Sequence, residues 1–241
     1  MTLVWKSGPG NLILKNEAVE ADPFFNNVSL LLHGDGTNGS TTIVDSSPSP
    51  KTVTAVGDAQ ISTAQSKFGG ASIAFDGTGD YLTVPGGDFD FPGDFTVEAF
   101  FWLNNATAND ETIAGKWDNP SLRSWLLNVS GTKITFALGQ GGSIDAFTPS
   151  ASISSSAWHH VAVCRAGESV RIFFNGLQIG STYTSDFNAT SSAQSLAVGI
   201  NLDADRTPFN GYIDDLRITK GIARYTANFT PPTAPFPEVL G

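Results

Sequence analysis

Two adjacent acids, Asp214 and Asp215, interrupt an otherwise apolar stretch of the chain. Successive side chains of an extended strand point to opposite faces, so Asp214 falls in phase with Leu216. If the Leu216 face is inward, Asp214 directs a carboxylate toward a core, where an ionised carboxylate requires a cation or several hydrogen-bond donors. A metal ion is one such partner. Arg217, Arg224 or backbone N–H groups are the alternative.

A second group of residues suits the recognition of sugars. Trp117 stands in a polar stretch, after Lys116 and before Asp118 and Asn119. An aromatic ring can stack on the apolar face of a sugar, while charged and amide side chains bind its hydroxyl groups. Loops on a rigid scaffold commonly carry recognition, so these four residues are predicted to bind a ligand. Burial of the ring in the core is the alternative interpretation.

Motifs for covalent or zinc-dependent catalysis are missing from the sequence. It contains no Gly-x-Ser-x-Gly elbow for an activated serine, no phosphate-binding loop and no Cys/His spacing typical of zinc. His159 and His160 would point to opposite faces of a strand, so they cannot chelate one ion together. Cys164 has no evident basic neighbour and is expected to be buried and inert.

The elements that carry these residues are predicted to be β-strands. Short apolar segments alternate with turn signals at roughly 8–12-residue intervals, the spacing of a sandwich or barrel. Asn175-Gly176 separates two such segments and suits a two-residue hairpin turn. A second hairpin is predicted around Ser130-Gly131, with Ile134 and Phe136 on one face. Further strands are predicted at 28–32, 71–75, 81–84, 96–102, 160–164, 196–198 and 212–219.

The composition limits the class of protein. The chain has 241 residues, of which 40% are hydrophobic and 15% charged, with 25 Gly and 13 Pro. So few charges and so many turn residues exclude a coiled coil, a helical bundle and a disordered acidic tail. The formal net charge of -10 disfavours nucleic acid as a partner, because a phosphate backbone repels an acidic protein. A single cysteine excludes an intrachain disulfide framework.

The chain divides into two predicted parts. Residues 1–24 are turn-rich and then acidic, which indicates an extended N-terminal arm that docks or oligomerises. Residues 25–241 are predicted to form the folded domain. The N-terminus lacks the apolar stretch of a signal peptide, and no apolar run is long enough for a membrane span. We therefore expect a soluble protein made in a cytoplasm, without membrane insertion.

Several stretches together resemble the laminin-G-like, concanavalin A-like jelly-roll domains common in marine bacteria and phages. They are LLLHGDG at 30–36, FGGASIAFDG at 68–77, DFTVEAF at 94–100, WHHVAV at 158–163 and GYIDDLRITK at 211–220. Their order and spacing match over about residues 27–237. The resemblance implies an all-β fold, a two-sheet antiparallel jelly-roll sandwich of the concanavalin A-like type.

The resemblance also bears on the chemistry. Laminin-G-like jelly rolls often hold a structural Ca²⁺, and the resemblance suggests Asp35 as the companion of Asp214 in such a site. Glycoside hydrolases of the superfamily carry their paired carboxylates on one strand as Glu-x-Asp-x-x-Glu. No glutamate of this chain begins that spacing. We therefore expect a structural Ca²⁺ and no enzymatic activity, with a cryptic glycoside hydrolase as the third-ranked possibility.

The fold alone does not assign a function, because it serves lectins, glucanases and adhesion modules. The resemblance to phage domains and the distinct arm favour a virion surface protein of a bacteriophage: a fibre, spike or capsid-decorating subunit. Its expected partners are other virion proteins through the arm and a glycan or host cell surface through the jelly roll. A homo-oligomer is also expected. The alternative is a bacterial carbohydrate-binding module or lectin.

Overall fold

The computed structural model describes residues 21–106, 109–118, 122–189, 194–203 and 207–239. These residues form a short 3-10 helix, Phe25–Asn27, and β-strands named β1 to β15 in chain order. The strands are Val28–Leu32, Thr54–Val56, Gln60–Ser62, Ser72–Asp76, Tyr81–Val84, Phe95–Leu103, Glu111–Lys116, Trp125–Ser130, Lys133–Gln140, Ser143–Phe147, Trp158–Ala166, Ser169–Phe174, Leu177–Thr184, Leu196–Val198 and Asn210–Lys220. In the described ranges, no helix has the length and apolar character needed to cross a bilayer.

The strands form two antiparallel sheets. The eight-stranded sheet has the order β13-β12-β11-β6-β15-β4-β3, with β1 also paired to β15. The seven-stranded sheet has the order β10-β9-β8-β7-β14-β5-β2. Neighbours such as β6 and β15 are distant in sequence, as in Greek-key connections. The predicted all-β, two-sheet jelly-roll sandwich is confirmed.

The core lies between the sheets and follows the period-two pattern of the strands. On β9, Ile134, Phe136 and Leu138 are fully buried, as the sequence predicts. Phe136 lies beside Trp125 of β8 and Phe95 of β6, so aromatic rings from both sheets meet at the centre. Burial of apolar surface stabilises the sandwich by roughly 25 cal/mol per Å².

The Asn175-Gly176 hairpin is confirmed, and a second contact explains its glycine. Both residues have positive φ angles, 49° at Asn175 and 80° at Gly176, as a type I′ turn requires. A Cβ atom at Gly176 would also stand 2.1 Å from the Phe229 carbonyl oxygen. The turn therefore needs glycine both for its backbone conformation and for close approach of the C-terminal chain.

Strand β15 departs from regular alternation at its acidic pair. Its register with β6 shifts just after Asp214, and Asp215 has a φ of 47°. Because this bulge inserts an extra residue, Ile213 and Leu216 both face the core, whereas Asp214 pairs with Phe100 of the outer face. The prediction that Asp214 shares the face of Leu216 is therefore wrong. Asp214 is buried outside the sheet and not between the sheets.

Residues 221–239, here called the C-terminal segment, cover the outer face of the eight-stranded sheet. Tyr225 and Phe229 stack with 3.6 Å between ring centroids and pack against Phe173. Farther along, the guanidinium of Arg217 lies 3.7 Å from the ring centroid of Phe236. Packing of this kind buries strand residues that would otherwise face water.

The two ends of the described chain meet. The Asp22 N–H donates a hydrogen bond to the Val239 carbonyl oxygen at 2.8 Å, and Asp22 is only 3% exposed. Residues 21–24 of the predicted arm therefore lie against the domain. Residues 1–20 lie outside the described residues, so their role in docking stays a prediction.

Candidate functional site

A buried ionic network joins the C-terminal segment to the eight-stranded sheet. Glu98 of β6 is fully buried and accepts hydrogen bonds from Arg217 at 2.8 Å and from the Tyr225 hydroxyl at 3.0 Å. Burial alone would raise the pKa of Glu98, but the positive charge of Arg217 beside it lowers that pKa to about 2. Asp22 accepts further bonds from Arg217 at 3.2 Å and from Arg224 at 2.7 Å. These ion pairs hold the C-terminal segment against the eight-stranded sheet.

Asp214 has one satisfied and one unsatisfied oxygen. Its Oδ2 accepts hydrogen bonds from the N–H groups of Lys67 at 2.7 Å and Phe68 at 3.1 Å. Its Oδ1 is buried without a hydrogen-bond partner among the described residues. Burial, helped by the negative charges of Asp215 and Asp35, raises the pKa of Asp214 to about 7. A cation would satisfy this oxygen, because an ionised carboxylate is costly to bury alone.

Asp215, on the same bulge, makes a different set of contacts. One carboxylate oxygen contacts His33 Nδ1, and the other accepts a hydrogen bond from the Phe236 N–H at 2.9 Å. His33 Nε2 lies 3.0 Å from Glu238 Oε1. Burial would lower the pKa of His33, but the hydrogen bond and charge of Asp215, with Glu238, raise it overall. His33 therefore sits between two carboxylates.

Asp35 lies close to the same turn that binds Asp214. A Cβ atom at Gly69 would stand 1.8 Å from Asp35 Oδ1, so glycine there leaves room for this carboxylate. Gly69 directly follows Lys67 and Phe68, the donors to Asp214. One turn thus adjoins both predicted calcium ligands. We call Asp35, Asp214, Asp215, Glu238 and His33 the Asp214 cluster.

The residues present fit a calcium ion only in part. Ca²⁺ takes six to eight oxygen ligands, including carboxylates, backbone carbonyls and water. The unsatisfied Oδ1 of Asp214 and the carboxylate of Asp35 are suitable donors. Among the described residues, however, no group of three or more His, Cys, Asp or Glu side chains is placed to hold a metal. Carbonyl oxygens and water would have to supply the other ligands.

The predicted sugar-binding residues occupy a less accessible place than the sequence suggests. Trp117 is 7% exposed and packs against Leu126 and Ala137 on the outer side of the seven-stranded sheet. Lys116 is fully buried, with its Nζ 2.6 Å from the carboxylate of Asp90. Neither residue presents its side chain to solvent in the way a stacking site requires.

The other two predicted sugar-binding residues are Asp118 and Asn119. Asp118 is half-buried, and Asn119 lies outside the described residues. Sugar binding by these residues stays a prediction. The buried ring leaves little exposed surface for a sugar to stack directly on Trp117.

A polar pair lies above Trp117. The Arg123 guanidinium is centred 5.3 Å from the Trp117 ring and donates to Asp203 from Nε at 2.9 Å and from Nη2. The Leu202 N–H donates to the Trp117 carbonyl oxygen at 3.1 Å, so the loops after β7 and β14 are joined here. The Arg123 side chain is 22% exposed and that of Asp203 is 10% exposed. The Arg123 side of this charged pair is therefore partly exposed, whereas Asp203 is largely buried beside it.

Hydroxyl groups continue this outer surface along the sheet. Tyr81, Thr83 and Thr135 are half-buried there, because their neighbours on each strand face the core. Their hydroxyl groups can both donate to and accept from sugar hydroxyls. Thr112 and Asn128, which share a hydrogen bond of 2.8 Å, are buried and lie outside this accessible surface.

The interpretations of the histidines and the cysteine agree with the structure. His159 packs against Phe101 of the core side, whereas His160 packs against Phe100 of the outer side, as alternation predicts. Cys164 is 1% exposed, and burial raises the pKa of its thiol to about 12. It is therefore an unreactive core residue at physiological pH.

Sequence reasoning missed five of the residues that define these sites: His33, Asp215, Glu238, Arg123 and Asp203. The adjacent acids on β15 gave a partial signal, because strict alternation would turn one of the two carboxylates toward the apolar core. Arg123 and Asp203 are 80 residues apart, and nothing in the local pattern around either residue indicates the other.

Comparisons with solved structures reveal similar folds. The receptor-binding domain of botulinum neurotoxin type G superposes with a TM-score of 0.60 at 15% identity, covering 83% of this chain and 49% of that domain. The binding domain of Paraclostridial Mosquitocidal Protein 1 superposes with a TM-score of 0.63 at 15% identity, covering 86% and 50%. The chain thus spans about half the length of these structures. At such identities the likeness shows the fold.

A third similar structure comes from botulinum neurotoxin type C, whose cell entry is described as dependent on interaction with two ganglioside molecules. It has a TM-score of 0.59 at 19% identity and covers 81% of this chain and 48% of its own. No curated protein matches the sequence closely enough to count as a relative.

A protein-family comparison gives the classification. The model of the third laminin G family, described as the concanavalin A-like lectin/glucanases superfamily, matches residues 76–223. That match covers more than half of the chain and includes all of β6, β11 and β15, which form the centre of the eight-stranded sheet. The chain therefore belongs to the laminin-G-like family of the concanavalin A-like superfamily.

Proposed function

We propose that this protein is a non-enzymatic binding module that recognises a glycan or another component of a cell surface. The observation that carries the proposal is the difference between the two outer faces of the sandwich. The C-terminal segment covers the eight-stranded sheet, whereas the seven-stranded sheet presents Arg123, Asp203 and a series of hydroxyl groups. Family membership and the likeness to toxin binding domains support a recognition role.

The ligand-binding surface in this proposal is the outer side of the seven-stranded sheet around the loops after β7 and β14. Arg123 and Asp203 offer donors and acceptors in a fixed geometry, and Tyr81, Thr83 and Thr135 extend that capacity along the sheet. Trp117 acts as a support beneath Arg123. Shallow polar surfaces of this kind suit sugars, whose hydroxyl groups need many hydrogen bonds.

The placement of the acidic residues supports a role in binding and not in hydrolysis. A glycosidase needs two carboxylates with access to one glycosidic bond. Glu98 is fully buried and bonded to Arg217, and Glu111 is 6% exposed and accepts the Asn210 N–H at 2.9 Å. Both glutamates on the central strands are thus engaged in structural contacts.

A structural Ca²⁺ held by Asp35 and Asp214 is part of the proposal. The bound ion would supply positive charge to a group of carboxylates that otherwise repel one another. Asp214 supports this role through its unsatisfied Oδ1, and Gly69 leaves space for Asp35. The ion has no catalytic role here.

We further propose that the module belongs to a bacteriophage virion, as a fibre, spike or capsid-decorating subunit. The support is the sequence resemblance to phage domains together with the turn-rich and then acidic sequence of residues 1–20, which is predicted to be an arm. In this account the arm docks on other virion proteins or mediates oligomerisation. The alternative, a bacterial carbohydrate-binding module or lectin, uses the same ligand face.

Binding to a glycan array tests the proposed function. Wild-type protein is expected to bind a restricted set of glycans, and the double change Arg123→Ala with Asp203→Ala should weaken that binding by more than about tenfold, or 1.4 kcal/mol. Arg171→Ala on β12 of the other sheet is the matched control and should bind as the wild type does. No binding to any glycan or host cell would refute the recognition role.

Mass spectrometry and electron microscopy of purified phage particles distinguish a virion subunit from a free bacterial lectin. A virion subunit is expected in the particle, and deletion of residues 1–20 should reduce its incorporation while leaving a folded domain. Recovery only as a free protein would favour the bacterial lectin.

A further inference from the structure

A polar pocket of about 310 Å³ opens where the start of β1, the end of β15 and two loops meet. The two strands pair side by side, and the loops are those that precede β2 and follow β5. Amide, hydroxyl and charged groups line the pocket, contributed by Asn26, Asn27, Ser49, Lys51, Asp88 and Lys220. We call it the Lys220 pocket. Its volume lies at the lower end of the range for ligand sites and suits a single sugar.

Buried hydrogen bonds hold the wall of the Lys220 pocket that comes from the loop before β2. The carboxylate of Asp45, a residue only 3% exposed, accepts hydrogen bonds from the N–H groups of Ser47 at 2.9 Å and Lys51 at 2.8 Å. The Lys51 ammonium donates to the carbonyl oxygens of Ser29 at 2.8 Å and Ser49 at 3.0 Å. The position of this charge is therefore set before a ligand binds, which lowers the entropy cost of binding.

The other neighbour of the Lys51 ammonium is a carboxylate that a ligand can replace. Asp88 Oδ2 lies 3.3 Å from Lys51 Nζ, and the Asp88 side chain is 60% exposed, whereas that of Lys51 is 13% exposed. Such an ion pair contributes little stability, because water solvates the exposed carboxylate nearly as well. An anionic group of a ligand can therefore take the place of Asp88 at little cost.

Lys220 supplies a second positive charge from the end of β15. Within the parts of the chain that the structure describes, its ammonium has no carboxylate partner. Its backbone is fixed, since the Lys220 carbonyl oxygen accepts a hydrogen bond from the Asn27 side chain at 3.1 Å. Two lysines against the single carboxylate of Asp88 make the pocket positive, in a protein whose formal net charge is -10. A local positive field of this kind attracts anions.

We propose that the Lys220 pocket binds a sugar acid of monosaccharide size, with its carboxylate or sulfate group beside Lys51 and Lys220. Asn26, Asn27 and Ser49 bind the sugar hydroxyls, because amides and hydroxyl groups both donate and accept hydrogen bonds. A ligand of this size with ordinary contacts has a dissociation constant of about 1 mM, too weak to retain a glycan on a washed array. The inference thus goes beyond the proposed function and does not depend on it.

Nuclear magnetic resonance titration of the isotopically labelled full chain tests the proposal, with glucuronate and glucose monosulfate as probes. The comparisons are glucose, which lacks the acid group, and acetate, which lacks the sugar, all at constant ionic strength. The backbone amide signals of Asn27, Lys51 and Lys220 should shift with at least one sugar acid, which should bind about tenfold more tightly than glucose or acetate. The amide of Ile134, on β9 of the other sheet, should not shift.

Two pairs of variants separate a specific site from a general attraction of anions. Lys220→Gln should weaken binding of the sugar acid about threefold or more, whereas Lys133→Gln, the same change at an exposed lysine of β9, should have no effect. Asp88→Asn should strengthen binding, because it removes the carboxylate that competes for Lys51, whereas Asp110→Asn should not. The melting temperature of each variant checks that it is folded.

Three results would overturn the proposal. The first is no shift with either sugar acid at millimolar concentrations, and the second is binding of glucose or acetate as tight as that of the sugar acids. The third is an equal effect of the Lys220 and Lys133 changes, since a site requires a local contact. None of these results bears on recognition by the seven-stranded sheet, which the Arg123 and Asp203 variants test.

Discussion

On the outer face of the eight-stranded sheet, Glu98 and Arg217 are at most 4% exposed because the C-terminal segment lies over them. On the outer face of the seven-stranded sheet, the Arg123 and Asp203 side chains remain 22% and 10% exposed. Both faces carry ion pairs, but the first buries both partners and the second leaves Arg123 partly exposed. The contrast indicates that charges on the eight-stranded face stabilise the packing of the C-terminal segment, whereas those on the seven-stranded face can contact a ligand.

The largest contrast is expected from matched arginine substitutions. Arg217→Met leaves the carboxylates of Glu98 and Asp22 buried without their main partner, which should cost about 3–5 kcal/mol of unfolding free energy. Arg123→Met removes a partly exposed pair and should cost about 0–1 kcal/mol. Urea unfolding of both variants measures the difference. Equal losses would show that the two faces do not differ as described.

Substitution of Trp117 tests how firmly the seven-stranded face is packed. Because the ring is 7% exposed and contacts Leu126 and Ala137, Trp117→Ala should lower the unfolding free energy by about 3 kcal/mol. Phe24→Ala, at a ring that is 37% exposed, is the control and should have a smaller effect. Thermal or urea unfolding measures the loss of stability in both variants. A negligible loss at Trp117 would restore the ring as a candidate for direct stacking.

Calcium should add a comparable amount of stability to the native protein. An ion that binds only the folded state contributes about 2.7 kcal/mol at 100 times its dissociation constant. The melting temperature is therefore expected to fall in chelator and to recover with Ca²⁺, and Asp35→Asn should remove the response. A melting temperature that is unchanged by either treatment would argue against the ion.

Acid should weaken the covered face through Glu98. The pKa of Glu98 falls from an ordinary value of 4.5 to about 2 in the folded protein, because Arg217 favours the charged form despite burial. A lowered pKa contributes stability that is present above 4.5 and is lost as the pH falls toward 2. Unfolding measured across this range should show that loss, and Glu98→Gln should flatten it. A stability that does not change between these pH values would contradict the network.

The regular strands could be predicted because their pattern is local. Alternation at Ile134, Phe136 and Leu138 places β9, and Asn175-Gly176 fixes the turn between β12 and β13. Strands β1, β5 and β14 have the predicted bounds. The strands β2, β3, β7 and β10 were not predicted; the first three contain one large apolar residue each, too few to show alternation.

The candidate sites were harder to predict because they depend on departures from that pattern. The bulge at Asp215 places Asp214 on the opposite side from the one that alternation predicts. The resemblance to laminin-G-like domains nevertheless paired Asp35 with Asp214, and the turn at Gly69 adjoins both. The contact between Arg123 and Asp203 arises only when the loops after β7 and β14 meet.

Ligand binding on the outer side of the seven-stranded sheet can be tested by blocking each face in turn. Thr135→Cys places a thiol on that side, and Thr230→Cys places one on the exposed surface of the C-terminal segment. The native Cys164 is buried and should not react. Each variant would be coupled to a maleimide polymer and applied to the glycan array. The Thr135→Cys conjugate is expected to lose glycan binding and the Thr230→Cys conjugate to keep it; the reverse result would place the ligand on the eight-stranded face.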